Sequence, residues 1–163
     1  MQIDGVDPNQ PFYLYQMPMF SVTVSTVLIV ENGVVMVRND YEDKESDWSF
    51  PGGRIRAALE SMQFAALRYV KMVSGVTLKK ELFIPVDFRS EPERSKIGNE
   101  IDVGFALITE GLLPETFNDR ECVKWFEVDF ENKCLIDDDV NFYMDHEILL
   151  QRALEVMLLV KID

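Results

Sequence analysis

Trp48-Ser49-Phe50-Pro51-Gly52-Gly53, followed by Glu60-Ser61, Arg68 and Gly75-Val76, is the stretch on which the reading of the fold turns. Trp48–Gly53 reads as a short strand ending in a glycine turn. Ser61 can cap a helix, because its hydroxyl accepts from a free backbone N–H of the first turn. Gly75 can end that helix in a left-handed conformation, which a residue without Cβ takes readily. A helix is therefore predicted over Ser61–Ser74. Met62, Phe64, Ala65, Ala66, Leu67, Tyr69, Val70, Met72 and Val73 leave it almost no polar face. Such a helix is buried or lies at an interface, so its apolar side is core, cleft wall or dimer contact.

Strands surround this unit. Phe20–Val30 is rich in Val, Thr and Ile. Glu31-Asn32-Gly33 reads as a hairpin turn with Asn-Gly at positive φ, and Val34–Arg38 as the returning strand. Asp40–Asp47 is an acid-rich loop. Downstream, Leu78–Arg89 holds a strand ending near Val86–Phe88. Ser90–Asn99 is a polar loop, and Glu100–Thr109 and Cys122–Val128 are strands. Asn141–Lys161 reads as a closing amphipathic helix, with Phe142, Ile148, Leu149, Ala153, Val156 and Leu159 near helical spacing.

The chain has 163 residues, 47% of them apolar, with 16 Lys+Arg against 29 Asp+Glu and a net charge of −13. One domain with a real core is the expectation at this size. The acidic balance argues against nucleic acid or an anionic membrane as partner, since both need positive charge. It leaves room for a small phosphate ligand in a local basic pocket. Cys122 and Cys134 make no disulfide framework and have no metal-ligand spacing, which fits a reduced, cytoplasmic setting. The first residues carry no basic n-region, so a signal peptide is not expected. Pro8, Pro11 and Pro18 forbid a regular helix in residues 1–19, which read as an extended leader to a single domain over 20–163.

The ordered set Trp48-x-x-Pro51-Gly52-Gly53, Glu60, Arg68 and Gly75-Val76 resembles the Nudix box, a loop–helix–loop motif. Trp125-Phe126 is similar to that family's late Trp-Phe strand, and Asn99-Glu100-Ile101 to the strand start of one of its subgroups. The resemblance implies an α+β fold, a Nudix-like α/β/α sandwich: a mixed sheet flanked by the box helix and a C-terminal helix. Gly52, Gly53, Glu60, Arg68 and Gly75 would form the box scaffold, with Glu60 and Arg68 paired to brace loop against helix. The departures matter more. Glu60 lies seven residues after Gly53, one more than the family pattern, and Tyr69, Met72 and Val73 stand where the family has glutamates. Those positions share one helix face. Glutamates there would hold Mg²⁺, a hard ion that takes oxygen ligands, against a diphosphate. A phenol, a thioether and an isopropyl group cannot. Mg²⁺ or Mn²⁺ is then expected to bind weakly if at all, with Glu60 and Glu100 as the remaining metal-ligand candidates.

For a phosphate-bearing small molecule, the resemblance makes Arg54 and Arg56 candidate contacts, since guanidinium forks suit phosphate. Arg89, Arg94 and Asp102 are further candidates, and Glu100 is the candidate catalytic carboxylate. Each of these residues could equally be an ordinary surface charge. His146, between two acids, reads as a solvated helix residue, and Asp137-Asp138-Asp139 as a solvated cap. Two functions follow. One is a Nudix-type hydrolase of a nucleoside diphosphate-linked compound, of the nucleotide-sugar type, with weak or altered metal chemistry. The other is a non-catalytic Nudix-fold module binding a nucleotide-derived metabolite or a protein partner. A homodimer would suit the apolar helix face.

Overall fold

The computed structural model describes residues 20–38, 47–56, 59–94, 99–117 and 122–160. The leader and most of the acid-rich loop lie outside the described residues. The strands are β1 (Ser21–Val30), β2 (Gly33–Arg38), β3 (Trp48–Ser49), β4 (Gly52–Arg54), β5 (Ile84–Arg89), β6 (Glu100–Thr109), β7 (Val123–Asp129) and β8 (Cys134–Leu135). The helices are α1 (Met62–Ser74) and α2 (His146–Val160). The sheet runs β5-β6-β1-β2-β7-β8, with β3 on β2 and β4 on β1. β1 and β6 are parallel, and the other pairings are antiparallel. This is the mixed α+β sandwich expected.

Alternation along the strands builds the two layers, because successive side chains point to opposite faces. Val24, Leu28, Val30, Val35, Val103, Phe105 and Leu107 pack against Ala65, Ala66 and Val70 of α1. Val27, Ile29, Val34, Met36, Ala106 and Phe126 pack against Leu149, Leu150, Ala153, Leu154 and Met157 of α2. The second face changes character along β1. Thr23 and Ser25 lie on the same side as Val27 and Ile29, and Asp102 lies opposite Thr23 and Arg89 in the register. One half of that face is apolar core under α2. The other half, around Thr23, Ser25 and Asp102, is polar and buried.

α1 forms as its caps dictate. Ser61 Oγ accepts from Phe64 N–H, and Gly75, at φ 74°, donates its N–H to the Lys71 carbonyl. The apolar circumference resolves into parts: Ala65, Ala66 and Val70 are core, whereas Met72 is 69% exposed and Phe64 48%.

Three local readings need correction. The hairpin turn holds Glu31, not an Asn-Gly pair, at positive φ (54°), and Gly33 is the first paired residue of β2. Glycine is required there for space, since a Cβ would stand 2.3 Å from the Phe126 carbonyl oxygen and 2.4 Å from the Trp125 ring. The last helix starts at His146, not at Asn141. Trp48 N–H donates to the Asn141 carbonyl and Tyr143 N–H to the Trp48 carbonyl, both at 2.8 Å, which ties residues 141–143 to β3 in extended form. Asp137–Asp139 therefore caps nothing; Asp139 N–H closes a local turn on Asp137 Oδ1.

Candidate functional site

The polar half of the sheet face opens into a cleft of about 190 Å³ lined by Thr23, Ser25, Gly52, Gly53, Arg54, Arg94, Glu100, Asp102, Tyr143 and His146 among others. Its floor is a chain of alternating charges. Asp102, 2% exposed, accepts from Thr23 Oγ1 (2.7 Å) and Ser25 Oγ (3.0 Å) on one oxygen and from Arg89 Nη2 on the other. Arg89 Nη1 continues to Asp145 Oδ1 at 2.7 Å, and Arg89 Nε lies 3.7 Å from Asp87 Oδ2. Arg94 forks onto both Asp145 oxygens (2.9 and 2.8 Å) and reaches Glu100 Oε1 at 3.0 Å. Burial acts to raise the Asp145 pKa, but the Arg94 hydrogen bond and the charges of Arg89 and Arg94 outweigh it and hold the carboxyl below its usual range.

His146 stands at this network, at the first turn of α2. It is 5% exposed, its ring stacks on Phe50 with centroids 5.7 Å apart, and its Nδ1 accepts the Phe50 N–H at 2.9 Å. Accepting at Nδ1 makes the ring a neutral imidazole with its proton on Nε2. Burial, and next the Arg89 charge, push its pKa down to about 4 against the opposing Asp102 and Asp145 carboxylates. The solvated helix position read from its acidic neighbours is thus overturned.

At the other wall, Glu60 and Arg68 pair as expected. Arg68 Nη2 donates to Glu60 Oε1 at 2.6 Å and Arg68 Nε to Oε2 at 3.1 Å, while Arg56 N–H holds Oε1 at 2.8 Å. The Arg68 hydrogen bond, against the effect of burial, lowers the Glu60 pKa to about 2. Tyr69 crosses to β4, where its hydroxyl donates to the Arg54 carbonyl at 3.0 Å beneath the Arg68 guanidinium. Gly53 is matched to it: φ is 149°, and a Cβ would come within 2.5 Å of the Tyr69 oxygen. The phenol therefore fills the gap between helix and glycine strand. Replacing Arg68 by Ala frees Glu60 of both guanidinium bonds and leaves the Arg54 carbonyl, which Arg68 Nη2 also reaches at 3.2 Å, to the Tyr69 hydroxyl alone. The variant's melting temperature should fall by on the order of 5 °C; an unchanged melt would show that the pair braces nothing.

The sequence candidates thus separate. Arg54, Glu100 and Asp102 line the cleft, with Arg54 exposed. Arg56 is exposed; its backbone N–H holds Glu60, and its charge helps to lower the Glu60 pKa. Arg89 is buried in the floor, bonded to the Asp102 and Asp145 carboxylates and to the Asp145 carbonyl, so it acts by holding Asp102 and Asp145. Tyr143, Ser49, Phe50 and His146 were not legible as site residues; their convergence depends on the β3 bridge to residues 141–143.

The sheet order, α1 between the glycine strand and Gly75, and the cleft beside them define a Nudix fold. A MutT/nudix family protein from Enterococcus faecalis matches with TM-score 0.67 and 21% identity, over 87% of this chain and 64% of its own. A bifunctional NMN adenylyltransferase/ADP ribose pyrophosphatase from Francisella tularensis, complexed with AMP and Mn ion, matches with TM-score 0.62 and 20% identity, over 92% of this chain and 44% of its own. The NUDIX domain of Shewanella oneidensis NrtR, complexed with ADP ribose, matches with TM-score 0.68 and 18% identity, over 94% of each chain. This chain therefore spans less than two thirds of the Enterococcus and Francisella proteins. No family model matches it, and no curated protein matches it by sequence. Shewanella oneidensis NrtR also has a structure complexed with a 27mer DNA, so the expectation that nucleic acid is no partner finds no support in these comparisons. No helix among the described residues is long and apolar enough to cross a membrane.

The fold family implies a divalent metal, and the residues present do not fit one. Tyr69 donates to a backbone carbonyl, Met72 projects into solvent, and Val73 packs on the core. Glu60 and Glu100 are each bonded to an arginine. Among the described residues, no three of His, Cys, Asp and Glu gather where an ion could sit.

Proposed function

We propose that this chain is a Nudix-fold binding module that takes a phosphate-bearing, nucleotide-derived small molecule in the cleft without metal-dependent hydrolysis. The observation that carries this reading is the arginine pairing of the cleft's acids. Glu100 is bonded by Arg94, Asp102 by Arg89, and the Tyr69 phenol stands at the first of the helix positions where a metal ligand would be needed. Arg89 and Arg94 offset part of the negative charge that these carboxylates would turn on an anionic ligand, and leave them less free to ligate a metal. Arg54, exposed at the cleft wall at the end of the glycine strand β4, supplies a cation for phosphate oxygens. ADP-ribose is the natural first probe, since it is bound by the NrtR domain of the same fold.

A second reading, a hydrolase of altered chemistry, is favoured by one detail: Glu100 lines the cleft and Arg94 engages only its Oε1. The two readings part on metal and turnover. Titration of Mg²⁺ and Mn²⁺ into the protein should give no saturable heat at millimolar ion. Chromatography of ADP-ribose incubated with protein and Mg²⁺ should show no AMP. Release of AMP that Glu100→Gln abolishes would establish the hydrolase reading instead.

A further inference from the structure

The cleft does not end at its narrow part. A second cavity of about 410 Å³, bordered by Val37, Arg38, Asp47, Ser49, Gly52, Gly53 and Tyr143, shares with it Ser49, Gly52, Gly53 and Tyr143. Three of the shared residues form a floor of glycine backbone and one hydroxyl. The fourth is an aromatic side chain, 39% exposed, at the junction of the two lobes.

Tyr143 is held there by its surroundings. Its backbone N–H is fixed on the Trp48 carbonyl at 2.8 Å. Its ring stands at 70° to His146 with centroids 5.9 Å apart. His146 is itself clamped by stacking on Phe50 and by the Phe50 N–H. The ring is thus pre-positioned against a buried stack, which removes the ordering cost that a free surface tyrosine would meet on binding. The lobes on its two sides differ. The narrow one carries Arg54, exposed at its wall, beside Glu100 and Asp102, which are bonded to Arg94 and Arg89, so Arg54 is the cation placed to meet a phosphate. The wide one is mixed, with Val37 and Arg38 of β2 and Asp47.

We infer that Tyr143 is the stacking platform for a planar ring, a nucleobase, of a ligand whose phosphate lies toward Arg54 and whose remainder extends into the wide lobe. This rests on reading the cleft as a phosphate-ligand site and adds the residue that selects a nucleotide over a simple sugar phosphate. Stacking on an aromatic side chain depends on the π-face and little on base identity, so purine and pyrimidine nucleotides should both benefit. Burial, and then the nearby Glu100 carboxylate, hold the phenol's pKa above its ordinary value, so the ring stays neutral at physiological pH.

The test is calorimetric titration of the full chain with AMP and with ribose 5-phosphate, which differ by the base. The unmodified protein should bind AMP about 10-fold more tightly or better. Tyr143→Phe should keep that preference. Tyr143→Ala should abolish it while leaving ribose 5-phosphate affinity unchanged, and Tyr143→Leu, which keeps the bulk, should do the same if the alanine variant does not fold. Equal affinity of the unmodified protein for the two ligands would overturn the inference. So would a Tyr143→Leu protein that still prefers AMP. If neither ligand binds, the proposed function falls as well; if ribose 5-phosphate binds and the base adds nothing, the role of Tyr143 alone is refuted.

Discussion

Arg89→Met is expected to destabilise the fold by about 3–5 kcal/mol, the cost of stranding a buried charge whose partner is removed. Arg89 is 4% exposed and sits between Asp102 and Asp145, with Asp87 beside it. Methionine matches much of its length and none of its charge. Asp145 would keep the Arg94 fork, but Asp102 would retain only the Thr23 and Ser25 hydroxyls in a site 2% exposed. The loss should therefore concentrate on Asp102. Arg89→Met combined with Asp102→Asn should recover part of it, because an amide tolerates burial without a counter-charge. Arg89→Lys should fall between, since an ammonium cannot span carboxylates as a planar fork does. Urea unfolding measures all three. A change below about 1 kcal/mol in the single variant would mean that water, not arginine, compensates these acids.

Acidification is expected to weaken the fold through His146 before the depressed carboxyls of Asp145 and Glu60 contribute. Its pKa lies at about 4 in the fold against an ordinary 6.5. The unfolded chain thus takes up a proton that the folded one refuses, and stability present above pH 6.5 is lost as pH falls toward 4. Protonation would also turn the Nδ1 acceptor into a donor facing the Phe50 N–H. The charged groups around the ring are Arg89 from β5, Arg94 from the turn before β6, Asp102 from β6 and Asp145 at the start of α2. Asp145 and Glu60, whose pKa values are depressed, add their own losses only below the ordinary carboxylate range near 4. The interval from pH 6.5 to 5 thus belongs to the histidine. His146→Asn, whose amide oxygen can accept the Phe50 N–H, should show a flatter melting temperature across that interval. Parallel pH profiles for the two proteins would place the titrating group elsewhere.

The α1 unit was legible because its signals are local. A cap at Ser61, a stop at Gly75 and apolar residues between them need no partner to be read, and Glu100–Thr109 is a strand on alternation alone. The glycine strand was half legible: Gly53 was recognised as a turn residue, but its match to Tyr69 is a contact between elements. Helical spacing from Phe142 onward misplaced the start of α2, because pairing with Trp48 outcompeted local propensity. The cleft was hidden for the same reason. Asp102, Arg89, Asp145 and His146 look like scattered surface charges in one dimension. They become a buried network only when the parallel pairing of β1 with β6 and the antiparallel pairing of β5 bring Thr23, Asp102 and Arg89 into one row.

Binding of a phosphate-bearing ligand in the cleft without a metal is tested most directly by a single pair of titrations. ADP-ribose is titrated into the protein once in EDTA and once in excess Mg²⁺. The same Kd is expected in both, with intact ADP-ribose recovered afterwards. Binding seen only with Mg²⁺, accompanied by AMP in the recovered solution, would contradict this expectation.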